Sequence, residues 1–114
     1  MSATHHITIN QGSTFKLPVT LRAKDTQIGI DLSTAVIRAQ IRQNYGDASP
    51  VATFLVEDVD LANGKFLIRL NPDVTSDLAF IDDLALWDLE VEYSLTEKVT
   101  YLEGRARLIK EVTR

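Results

Sequence analysis

Leu86-Trp87-Asp88-Leu89-Glu90-Val91-Glu92-Tyr93 is the stretch that decides the fold, because large apolar and acidic side chains alternate in it from Trp87 to Tyr93. In a β-strand successive side chains point to opposite faces, so the odd-numbered apolar residues share one face and the acids share the other. A helix would scatter the same apolar residues around its surface without forming a stripe. The stretch therefore predicts a strand of a half-buried antiparallel sheet.

Shorter runs of the same alternation lie on both sides of this strand. They predict further strands at residues 7–9, 14–22, 35–42, 51–57, 65–70 and 99–112. Asn63-Gly64 is a strong turn signal and predicts a hairpin between the strands at 51–57 and 65–70. Asn71-Pro72 is typical of a helix start and predicts a short helix over 73–78.

The last predicted strand changes the parity of its apolar positions midway. Gly104 lies between the two halves, where a β-bulge would absorb the extra residue. With that bulge Arg105 lies opposite Asp88, which predicts charge complementarity on the solvent face.

About seven short strands and one short helix predict an all-β fold, an immunoglobulin-like antiparallel β-sandwich. We expect a single domain over 1–114, with residues 1–6 as a flexible N-terminal arm. The predicted core consists of the inward-facing apolar residues Phe15, Leu17, Val19, Ile37, Ile41, Phe54, Phe66, Ile68, Trp87, Leu89, Val91 and Tyr93.

Candidate interface residues come from the strand edges and one loop. A sandwich leaves edge strands to which a partner strand can add. Pro18 has no N–H to donate, so it predicts an edge strand or a bulge. Tyr45 lies beside Gly46 in a loop and is the better candidate for an exposed contact aromatic. The predicted interface is therefore Ile7, Ile9, Pro18 and Tyr45.

The composition argues against several classes of partner. The net charge of -4 and a pI near 5.0 disfavour attraction to nucleic acid or anionic lipid. The chain has no cysteine, and no apolar run approaches the roughly 20 residues of a membrane helix. The basic residues Arg105, Arg107, Lys110 and Arg114 alternate with apolar ones, which favours cross-strand pairing over a nucleic-acid stripe.

Three polar motifs contain residue types that occur in chemical sites, but none of them predicts a catalytic, cofactor-binding or metal-binding residue. The run from Asp58 to Gly64 resembles the start of a calcium loop but lacks the later acidic ligands. Asp82-Asp83 and His5-His6 are adjacent pairs that diverge in extended backbone and have no local partners. Trp87 is interpreted as a core residue in preference to a sugar-stacking surface.

A gapped set of residues resembles a family of small tailed-bacteriophage domains, found alone or as the N-terminal part of baseplate upper proteins. The set spans nearly the whole chain and comprises Ile9-x-x-Gly12-Ser-Thr-Phe15, Asp31-Leu-Ser-Thr34, Ile37-x-x-Gln40-Ile-Arg42, Gly64-Lys-Phe66, Trp87-Asp-Leu-Glu-Val and Glu103-Gly104 to Glu111-Val-Thr-Arg114.

The resemblance implies a non-enzymatic virion structural protein, an adaptor at the baseplate or tail-fibre attachment. Its expected partners are other virion proteins (baseplate, tail or receptor-binding proteins), with several symmetric copies, no cofactor, no nucleic acid and no membrane. Its expected location is the virion tail, after assembly in the host cytoplasm. A capsid decoration protein is the alternative, and a carbohydrate-binding module would need an exposed row of aromatics.

Overall fold

The computed structural model describes residues 3–112, so Arg114 of the terminal motif lies outside the described residues. Within this range one short helix, α1 (Pro72–Ser76), and two single-turn 3-10 helices (Leu61–Asn63 and Ile81–Asp83) accompany nine strands. The strands are β1 (Ala3–Thr4), β2 (Ile7–Asn10), β3 (Phe15–Thr20), β4 (Val36–Arg42), β5 (Ala52–Thr53), β6 (Leu55–Asp60), β7 (Lys65–Leu70), β8 (Leu84–Ser94) and β9 (Glu97–Ile109).

The strands form two sheets that pack as an immunoglobulin-like sandwich, which confirms the predicted fold class. The larger sheet has the order β1-β9-β8-β4-β5, with β2 also paired to β9, and the smaller has the order β3-β7-β6. Both β1 and β2 run parallel to β9, whereas the other neighbouring strands are antiparallel. The chain changes sheet at Phe54, so the strand predicted at 51–57 is divided into β5 and β6.

The long strand β8 lies between β4 and β9, and its odd-numbered side chains enter the core. Trp87 is 2% exposed, and Leu89 and Val91 are fully buried. Of the predicted core, the structure also buries Val19, Ile41, Phe54, Phe66 and Ile68, and it packs the half-buried Phe15, Leu17, Ile37 and Tyr93 against them. Core residues that the sequence did not single out include Leu32, Leu70, Leu78 and Phe80.

The N-terminal segment closes one edge of the larger sheet, so two predictions about it are wrong. Ile7 and Ile9 are 5% and 0% exposed and belong to the core, because β2 is already paired along β9 and turns both side chains inward. They are therefore not free for an interface. Within the predicted arm, residues 3–6 are also held in place, since β1 pairs with β9 and His5 N–H donates to Glu103 O at 2.8 Å.

The bulge in β9 lies at Tyr101, and the prediction at Gly104 is wrong. Leu89 faces Leu102 while Glu90 faces Thr100, so Tyr101 is the extra residue. Gly104 has another role: a side chain there would collide with the carbonyl of His5. The register shifts by two residues from the predicted one, and Asp88 lies opposite Glu103 instead of Arg105.

The outer strands of the smaller sheet carry features that oppose the addition of another strand. Leu21 N–H donates to Gly64 O at 2.9 Å, in register with β3 and β7. Hydrogen-bonded and non-hydrogen-bonded pairs alternate along an antiparallel ladder. Because Leu21 is at a hydrogen-bonded position, Pro18 is at a non-hydrogen-bonded one, and its nitrogen faces the free edge. That edge therefore lacks one N–H donor. At the other edge Asp58 lies opposite the buried Phe66, next to a register shift in β6. A charged side chain and a bulge on an edge strand both hinder edge pairing.

Two local signals have the structure that the sequence indicates. The hairpin of β6 and β7 turns through the 3-10 helix to Gly64, whose φ of 74° lies in the left-handed region. Asn71 precedes α1 in extended conformation, with Pro72 in the first turn. The Asn71 side chain does not cap the helix; its Oδ1 accepts a hydrogen bond from Arg69 Nε at 2.9 Å.

Candidate interaction surface

The solvent side of β4, β8 and β9 is a broad surface, here called the outer face. Strand registers place its members in rows, because directly opposite residues point to the same side of a sheet. Its members are Val36, Arg38, Gln40 and Arg42 on β4, Leu84, Leu86, Asp88, Glu90 and Glu92 on β8, and Lys98, Thr100, Glu103, Arg105 and Arg107 on β9.

Charges at one end of the outer face are paired. Glu92 lies 3.4 Å from Arg38 and 3.5 Å from Lys98, measured between the carboxylate oxygen and the nearest nitrogen of each base. Glu90 lies 4.0 Å from the same Arg38 nitrogen. Exposed pairs of this kind contribute little to stability, but they leave this end of the surface electrically balanced.

The middle of the outer face has an unfavourable arrangement of charge. Asp88 lies directly opposite Glu103, and within residues 3–112 neither carboxylate is in an ion pair. Burial raises the pKa of Asp88, and Glu90 and Glu103 raise it further, whereas Arg42 opposes the shift. A cation supplied from outside would therefore be favourable at this position.

Arg42 is held in place by neighbours other than Asp88. Its Nε donates to the carbonyl of Asp47 at 3.0 Å, and its Nη1 donates to Gln40 Oε1 at 2.6 Å. The first bond connects β4 to the loop that follows it. Asp47 also accepts from the backbone N–H of Asn44 at 2.9 Å, which closes a tight turn.

Tyr45 lies in this turn beside the outer face and is 86% exposed. Gly46 has a φ of 81°, a left-handed conformation that a residue with a side chain rarely adopts. Tyr45 and Gly46 line a concavity of about 170 Å³ together with outer-face residues that include Leu86, Asp88 and Glu103. An exposed aromatic beside a concave, partly apolar surface is a common arrangement at protein interfaces.

Trp87 and residues of the other polar motifs have hydrogen-bond or ion-pair partners within the fold. Trp87 Nε1 donates to His5 O at 2.7 Å, and His6 Nδ1 accepts from the backbone N–H of Arg105 at 3.0 Å. Asp60 accepts from Asn63 at 2.8 Å, and Asp83 lies 3.7 Å from Lys110. Across residues 3–112 there is no group of three or more His, Cys, Asp or Glu that could hold a metal ion.

Two observations concern a membrane-spanning helix and a sugar-binding aromatic ring. In the described part of the chain, no helix has the length and apolar character needed to span a bilayer. Trp87 has 2% of its surface exposed, so its ring does not offer a face on which a sugar could stack.

Asp88→Asn should stabilise the protein at neutral pH. The raised pKa of Asp88 means that its charged form is disfavoured by folding, so the carboxylate destabilises the native state above its native pKa. This penalty is relieved as the pH falls through the native pKa towards 3.8, the ordinary value. The stability difference between variant and wild type, measured by urea unfolding across that range, should therefore shrink on acidification.

Asp25→Asn is the matched control, because it removes the same charge from an exposed loop remote from Asp88. If Asp88→Asn destabilises the monomer at neutral pH, the carboxylate makes a favourable contact within its own chain, which contradicts the unfavourable charge arrangement at this position.

Comparison with known proteins shows a similarity of fold to a solved structure. No family model matches the chain, and no curated protein matches it. A solved structure named Tim-1 superposes with a TM-score of 0.52 over 100% of this chain and 99% of its own, at 12% sequence identity. At that identity the likeness concerns the sandwich alone. The relationship to tailed-phage domains stays a prediction.

Proposed function

We propose that the chain is a non-enzymatic structural protein of a tailed-phage virion, an adaptor at the baseplate or tail-fibre attachment that works through protein–protein contacts. The resemblance to small tailed-bacteriophage domains supports the proposed location at the baseplate or tail-fibre attachment. The observation that supports the mode of action is the exposed Tyr45, which lines the concavity in the middle of the outer face.

The outer face has the features of a contact surface. Tyr45 and Leu86 supply apolar area at its middle, and the charged residues of β4 and β9 surround them. Interfaces commonly combine a central aromatic anchor with a polar rim. The free edge of β3 is less suitable, because Pro18 removes a donor from it. The proposal therefore assigns the partner contact to the outer face.

Labelling of intact virions tests the proposed location. Antibodies against the purified protein, with gold-conjugated secondary antibodies, should mark the tail tip of particles purified from a host that carries the gene. Labels over the capsid would favour the capsid decoration protein instead. Absence of the protein from purified particles, checked by mass spectrometry, would contradict both virion roles.

A further inference from the structure

We propose that the partner on the outer face is a second copy of this chain, which binds through its own outer face and gives a two-fold symmetric dimer. The inference rests on the proposed function, because an adaptor of this kind is expected in several copies. Its evidence is the distribution of charge over the molecule and the alternation of charge along β9.

The outer face differs in charge from the rest of the molecule. It carries five basic residues and four acidic ones, a formal charge of +1, whereas the chain as a whole has -4, which leaves -5 elsewhere. Two copies that approach through other surfaces bring negative charge against negative charge. The outer face is therefore the surface on which two copies meet with the least repulsion.

The order of charges along β9 suits a two-fold axis. Glu103 and Arg105 are both exposed and lie on the same side of the strand, one row apart. An axis that lies in the interface, across the strands and between these two rows, places Glu103 of each copy against Arg105 of the other. Such an interface is self-complementary, because every contact occurs twice.

The same axis relieves the unfavourable charges at the middle of the outer face. It places the row of Asp88 and Glu103 against the row of Arg42, Leu86 and Arg105 in the second copy. Glu103 thereby faces Arg105 of the other copy, and Asp88 faces Leu86 between Arg42 and Arg105 of that copy. Complementary charge fixes orientation and register in an interface more than it adds affinity.

The exposed apolar residues and the area of the outer face determine how strongly two copies should associate. Tyr45, Val36 and Leu84 are 86%, 47% and 41% exposed, and all lie on or beside the outer face. The three strands have 7, 11 and 13 residues, and at about 3.4 Å per residue and about 4.8 Å between strands they make a surface of about 500 Å². This is smaller than a standard interface, which buries about 800 Å² per partner, so we expect a dimer that dissociates on dilution.

Reversing the charges of Glu103 and Arg105 tests the dimer, because binding of a different protein would not give the expected pattern of loss and rescue. Glu103→Arg leaves two arginines at the β9 contact, and Arg105→Glu leaves two glutamates, so neither variant should dimerise by itself. An equimolar mixture restores both contacts and should form a heterodimer. The chain carrying both changes should dimerise like wild type. Sedimentation velocity over a concentration series measures each case.

Lys24→Glu and Asp25→Arg are the matched controls, since they make the same charge changes in an exposed loop and should dimerise like wild type. Both test residues are exposed, and circular dichroism checks that each variant is folded. A wild-type protein that stays monomeric at every concentration, or a mixture that stays monomeric, overturns the dimer. Virion labelling is independent of this result, so the two proposals can fail separately.

Discussion

Replacing Trp87 by alanine should lower the free energy of unfolding by about 3–5 kcal/mol. The ring is 2% exposed, and its centroid lies 6.2 Å from that of Phe54 in an edge-on arrangement. Alanine would leave a cavity between the sheets and remove the hydrogen bond from Nε1 to His5 O. Urea unfolding should be followed by circular dichroism, because Trp87 is the chain's one tryptophan and its fluorescence is lost with it.

Trp87→Phe separates packing from hydrogen bonding. Phenylalanine keeps most of the buried ring but leaves the carbonyl of His5 without its donor, so we expect a smaller loss of about 1–3 kcal/mol. Equal losses for the two variants would mean that the hydrogen bond, which holds the N-terminal segment to β8, dominates. A near-neutral Trp87→Ala would contradict the core position and favour a surface role for the ring.

Ile9→Ala should destabilise the protein by about 2–5 kcal/mol. Ile9 is 0% exposed although it lies near the start of the chain, because β2 pairs with β9 and points it into the core. Urea unfolding followed by the fluorescence of Trp87 measures the loss. The matched control is Thr8→Ala on the exposed side of β2, for which we expect a change within about 0.5 kcal/mol.

The pair of variants decides between two interpretations of the N-terminal segment. The sequence alone suggests that residues near Ile9 are free for a partner, whereas the structure uses them to complete its own sheet. If Ile9→Ala leaves stability unchanged but weakens association, the segment is an interface and its packing on β9 is not maintained in solution.

The alternation of side chains made much of the fold predictable. A period of two identifies β8 and its inward face without reference to other strands, because only one face of such a strand can be buried. The turn at Asn63-Gly64 and the helix start at Asn71-Pro72 depend on local backbone preferences, so they too can be read locally.

Features set by contacts between distant residues were not predictable in this way. A change of parity requires an extra residue somewhere in β9, but Gly104 and Tyr101 satisfy that count equally well. The deciding contact is the carbonyl of His5, which approaches Gly104 from nearly a hundred positions away in the chain. Burial of Ile7 and Ile9 likewise depends on parallel pairing with β9, which no local pattern encodes.

The candidate surface was predictable only in part. Tyr45 lies beside a glycine in a polar loop, a local signal of exposure, and the structure places it at 86% exposed. The opposition of Asp88 and Glu103 follows from the register of β8 and β9, so an error of two residues replaced a repulsive pair by an attractive one. An accurate register is therefore necessary before charges across a sheet can be interpreted.

The parallel pairing of β2 with β9 also governs how the domain would respond to mechanical load. A pull applied at the start of β1 and at the end of β9 draws the two strands in opposite directions along their length. Four consecutive residue pairs, from Ile7 with Ala106 to Asn10 with Ile109, then bear the force together in shear. Bonds loaded side by side must break almost at once, whereas a hairpin pulled from its open end unzips one bond at a time.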